Sequence, residues 1–133
     1  MDGDDMTSAE VLYRFWASFD LPAWEETSVP DEKRRIELSG AAFPFLTYET
    51  ALDSFGNEVP LTASLWYRET GWEAITIKTN EINATIGRGG RMLATEDGAL
   101  WLKRGTPFAQ RMADTDDSVR RMILNTTVEF IYQ

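Results

Sequence analysis

From Val119 to Gln133 the chain alternates with a period of two. Met122, Leu124, Thr126, Val128, Phe130 and Tyr132 point one way; Ile123, Asn125, Thr127, Glu129 and Ile131 point the other. That is a strand with one apolar and one mixed face. A slip of one residue would turn the whole apolar set into water, so its register is tightly specified. The apolar face needs a cover, which calls for a helical layer on one side of a sheet.

Two stretches can supply that layer. Thr7 and Glu10 form a capping box, and Val11, Leu12, Phe15, Trp16 and Phe19 mark an amphipathic helix over 7–19. Asp20-Leu21-Pro22 ends it, because a residue before proline avoids the helical region. Thr70 with Glu73 makes a second capping box. Trp72, Ile75, Thr79, Ile82 and Ile86 form the stripe of a helix over 72–86, with Gly87 suited to its end.

The other strands read as follows. Phe43, Phe45 and Thr47 share one face of a strand, and Pro44, Leu46 and Tyr48 the other. Leu61, Ala63, Leu65 and Tyr67 share a face of the next, opposite Thr62, Ser64 and Trp66, with Pro60 at its entrance and turn formers at 53–57 between the two. Residues 91–95 and 100–104 form a hairpin around Glu96-Asp97-Gly98-Ala99. Gly105-Thr106-Pro107 breaks the run, residues 107–114 are ambiguous, and Asp114 to Asp117 is a turn. Residues 1–6 read as a disordered tail and 7–133 as one domain. Residues 22–42 read as an irregular connection with a short strand possible over Glu32 to Leu38. The expected fold is α+β: a mostly antiparallel sheet of four to five strands, with two helices packed against it.

A chain of 133 residues with five Trp and seven Phe can bury a real core. It has no Cys and no His, which removes disulfides, thiolate and imidazole nucleophiles, and His acid–base chemistry. The net charge of −9 argues against duplex nucleic acid as the main partner. No apolar run approaches the ~18 residues of a membrane span, and the acidic start lacks the pattern of a signal peptide. The GRGG run at 87–90 follows a helix and lacks the GK[ST] of a phosphate loop. Asp114, Asp116 and Asp117 lack the glycine and closing glutamate of a calcium loop, and a solvated turn is the better reading. Asn83 and Asn125 match the glycosylation pattern but fall inside regular elements. No catalytic set, metal site or cofactor is expected.

Charge is uneven along the chain. Residues 1–42 hold ten acids and four bases, net −6; residues 43–133 hold twelve acids and nine bases, net −3. Arg88, Arg91, Lys103, Arg104, Arg111, Arg120 and Arg121 concentrate basic charge after the second helix. For any one of these, alternation on a wet surface is an adequate account. As a set they suit an interface with the acidic part of a neighbouring copy, since opposite charges at two ends favour head-to-tail contacts.

The strings FPFLTYET, DSFGNEV, LTASLWYR, IGRGG, DGALWLKRGTPFAQRM and DDSVRRMILNTTVEF, from about Leu21 onward, resemble a family of small tailed-phage or prophage proteins of head–tail and tail morphogenesis modules. The type is the tail terminator, or head–tail joining (neck), protein. In that family the first strand often reads Pro-Tyr-Ile-Thr-Tyr; here Phe45 and Leu46 stand in the middle. The resemblance implies an antiparallel sheet with helices on it and a hexameric ring located in the virion. The implied partners are other copies of the chain, the tail tube protein and the head-closure or connector protein. The connection 22–42, with Trp24, and the loop 50–58, with Phe55, are then candidates to reach across subunits. A head-closure or tail-tube protein of the same module is the alternative. A small carboxylate- or metal-dependent hydrolase is the alternative from another class.

Overall fold

The computed structural model describes residues 6–25, 43–50, 58–113 and 117–132. The alternating segment is β6 (Val119–Tyr132), and it lies at the middle of the sheet. It pairs antiparallel along nearly its whole length with β3 (Glu58–Arg68) on one side and β5 (Gly98–Met112) on the other. Beyond β3 come β2 (Phe45–Tyr48) and β1 (Ala23–Glu25); beyond β5 comes β4 (Arg91–Thr95). The order is therefore β1-β2-β3-β6-β5-β4.

This is α+β as expected, but among the described residues the sheet has six strands and is mixed. The additional strand is β1, which runs parallel to β2 with Trp24 opposite Thr47. It falls in the stretch read from sequence as irregular. Three residues are too few to show a period. The Leu46 N–H donates to the Pro22 carbonyl (2.8 Å), which anchors the pairing. The expected strand over 32–38 and the loop tip at Phe55 lie outside the described residues.

Both described helices pack on the same face. α1 (Ser8–Ala17) buries Val11, Leu12, Phe15 and Trp16; α2 (Glu73–Ile86) buries Ile75, Thr79, Ile82 and Ile86. Under them lie Leu61, Leu65, Leu100, Leu102, Leu124 and Val128. α2 lies over β3, β6 and β5, whereas α1 touches β1 and β4, the two opposite edges. Five inter-strand spacings make a flat sheet roughly 24 Å wide. A ten-residue helix is only about 15 Å long. Contact with both edges therefore requires a curled sheet, with the helices in its hollow.

The local signals hold in one helix and shift in the other. At α1 the Thr7 side chain accepts from the Glu10 N–H and Glu10 reaches back to the Thr7 N–H, a complete capping box. These bonds hold the Glu10 carboxyl below its usual pKa range. α1 ends at Ala17, with Ser18 as its cap and Asp20 at φ 61°, two residues earlier than the proline argument places it. At α2 the expected Thr70–Glu73 box is absent. Trp72 is the cap residue and makes no side-chain capping bond. Instead Glu69 accepts from the Ala74 and Ile75 N–H groups (3.2 and 3.0 Å), placing a carboxylate at the positive end of the helix. The Thr70 and Gly71 carbonyls serve Arg120.

β5 does not stop at Pro107. It passes through an irregularity between Arg104 and Ala109, where four of its residues stand opposite Asn125 alone. The Asn125 side-chain amide donates to the Pro107 carbonyl (2.9 Å) and the Gln110 side chain (3.1 Å), holding the bulge together. The β4–β5 turn is also tighter than expected. Thr95 pairs with Gly98, so only Glu96 and Asp97 turn. Gly98 has φ 154° and lies against the Ile131 carbonyl, where a Cβ would collide.

Candidate functional site

The sheet's other face carries no described helix. Alternation on β6 presents Arg121, Ile123, Asn125, Thr127, Glu129 and Ile131 there, all half-buried. At its β2 end Phe45, Trp66 and Val119 form a small second core with Trp24 and Phe43 against it. Phe45 and Trp66 stack at 5.9 Å, and the Trp66 indole N–H donates to Thr47 Oγ1 (3.1 Å). Trp24 packs on Phe45 at 5.3 Å within its own chain. Toward β4 the face becomes open, with Met92 and Met112 exposed.

Six of the seven cations singled out from sequence fall into two groups. Arg120 and Arg111 lie over the Trp72 ring, at 5.4 and 4.8 Å, on the helix side. Arg120 also donates to the Gly71, Thr70 and Asp117 carbonyls. Arg121 is adjacent in sequence but on the opposite face, over Trp66 (4.5 Å) and bonded to Ser64. These three tie β6 and β5 to the start of α2 and to the second core.

The second group is about five β6 residues away, or roughly 17 Å. Arg88, Lys103 and Arg104 line a cleft of about 530 Å³ with Gly89, Trp101, Thr106, Pro107 and Phe108. Lys103 pairs with Glu58 and lies 3.7 Å from Glu129. The Glu58 hydrogen bond holds its ammonium above the usual lysine range. Arg104 donates to Asn83 Oδ1 (2.6 Å), fastening the bulge to α2. Arg88 is exposed and has no hydrogen bond or ion pair among the described residues. The GRGG run is a packing feature here. Gly89 accepts the Trp101 indole N–H (2.9 Å), and Gly90, at φ 84°, sits so close to Trp101, Lys103 and the Leu102 carbonyl that a Cβ would not fit. Arg91 lies apart, on a smaller hollow of about 360 Å³ between α1 and β4.

Sequence reasoning found the cations but missed the cleft's apolar walls, Trp101, Pro107 and Phe108. It also missed the acids at the far end of the same hairpin. Glu96 and Asp97 were legible as turn formers, and their charge is the signal that points further. Among the described residues no three His, Cys, Asp or Glu side chains converge on a metal-sized site, and no helix is long and apolar enough to cross a membrane. Asp114 and Asp116 lie outside the described residues.

No protein-family model matches the chain, and no curated protein and no solved structure is significantly similar to it.

Proposed function

We propose that this chain is a structural virion assembly protein: a tail terminator whose copies form a ring, with six the expected number, that caps the tail tube and joins it to the head connector. The reading begins from the sequence resemblance over Leu21 onward. The observation that carries it is the one-sided sheet. Both described helices occupy one face, while the face of β3, β6, β5 and β4 offers half-buried aliphatic and polar residues beside a basic cleft. A protein that works by contact needs such a face, since a ring interface usually buries well over ~1,000 Å² around an apolar centre. Head-to-tail closure further requires two different surfaces on each copy.

The test is self-association of the purified protein, followed by sedimentation velocity across a concentration series and by negative-stain microscopy, alone and with tails. Rings, free or at tail ends, are the expected result. Long stacks would favour the tail-tube alternative. Monomers at every concentration, with none bound to tails, would overturn the reading.

A further inference from the structure

The β4–β5 hairpin is oppositely charged at its two ends. At the turn, Glu96 and Asp97 are exposed. The Asp97 carboxylate accepts from Thr95 Oγ1 (3.2 Å), and the Glu96 carboxylate has no partner among the described residues. The Glu96 N–H donates to the Met6 carbonyl (2.8 Å), which holds the turn in place. At the hairpin's other end, roughly 17 Å along the strand, lies the basic cleft. Its Lys103 is already matched by Glu58 and Glu129. Arg104 spends one N–H on Asn83 and keeps others, and Arg88 has no partner among the described residues. The charge that the cleft can offer a ligand therefore comes from two guanidinium groups, whose planar forks suit carboxylates.

We propose that the Glu96–Asp97 turn of one copy docks into the Arg88–Arg104 cleft of the next. The idea rests on the ring reading and names the contact that would build it. The turn offers two adjacent exposed carboxylates, and the cleft is walled by Trp101, Pro107 and Phe108, which would exclude water from the ion pairs. The two ends of one hairpin cannot meet each other, so the tip of a given copy must find the cleft of another. Turn and cleft are different surfaces, which makes the contact heterologous and able to close into a ring.

Charge reversal tests it. Glu96→Lys with Asp97→Lys, and separately Arg88→Glu, should each weaken self-association by about tenfold or more, because like charges then face each other. Mixing the two variants should restore assembly. The lysine turn fits the glutamate cleft, and the unaltered turn of one variant fits the unaltered cleft of the other. Glu96→Gln with Asp97→Asn keeps the Thr95 acceptor and should weaken association with no change in the thermal melt, which separates lost contact from lost folding. Wild-type rings with reversed variants that associate as tightly, or a mixture that stays dissociated, would overturn the docking alone. A wild-type protein that never associates would overturn the ring and the docking together.

Discussion

The two faces of one sheet are built on opposite terms. Along β6, residues of one parity are sealed under the helices: Leu124 and Val128 are fully buried. Those of the other parity, Ile123 to Ile131, stay half-buried beside Lys103 and Glu58. The same backbone thus carries a face that fixes the fold and a face that leaves options open. The contrast weakens toward β2, where Phe45 and Trp66 form a core of their own on the open side. Tight packing and exposure are therefore separated by face, and on the open face by position along the sheet.

The largest expected effect probes the sealed face. Leu124→Ala removes a fully buried side chain from beneath the helices. It should cost about 2–5 kcal/mol in urea unfolding, because the closely packed neighbours cannot collapse into the space. A loss below ~1 kcal/mol would show that the helix-covered face is looser than described. Next comes the small core on the open side. Thr47→Val preserves shape but removes the oxygen to which the Trp66 indole N–H donates. A loss of about 1–2 kcal/mol is expected, with a changed tryptophan emission. No change would mean that this corner does not contribute to the fold.

Much of this division was readable in advance. The β6 parity and the α1 and α2 stripes are local patterns that repeat, the α1 box is complete within four residues, and all of them survive folding. What escaped was non-local or too short to repeat. β1 is three residues whose partner lies some twenty positions later. The β5 bulge hides behind Pro107, whose effect as a breaker is absorbed by the Asn125 side chain. Thr70 looked like a cap because the sequence does not reveal that the chain bends for two more residues before the helix begins. Arg120 and Arg121 looked like one basic patch, yet adjacent strand residues face opposite ways. Arg88, Lys103 and Arg104 meet only because the bulge and the turn after α2 bring their segments together.

A pH effect follows on the sealed face. Tyr67 is buried there, and burial, with Glu69 and Glu81 nearby, raises its phenol from about 10 to about 12. The folded protein therefore holds this proton more tightly than the unfolded chain. The associated stability is complete below pH 10 and is lost as the pH climbs through about 12. Urea midpoints should decline over that window, and less so in Tyr67→Phe. An equal decline in both proteins would exclude Tyr67 as the cause.

The smallest expected effect on folding is at Met92, which is exposed on β4 at the open face. Met92→Gln keeps length and flexibility, and Met92 remains more than half exposed in the fold, so unfolding should shift by no more than ~0.5 kcal/mol. Its interest lies in the contrast with Leu124. If the open face serves contact, Met92→Gln should weaken self-association in sedimentation while leaving the melt unchanged; Leu124→Ala should do the reverse at concentrations where the protein stays folded. A variant that alters the melt and leaves association intact would place Met92 with the fold. The face near β4 would then have to be removed from the contact surface, leaving the hairpin ends to account for assembly.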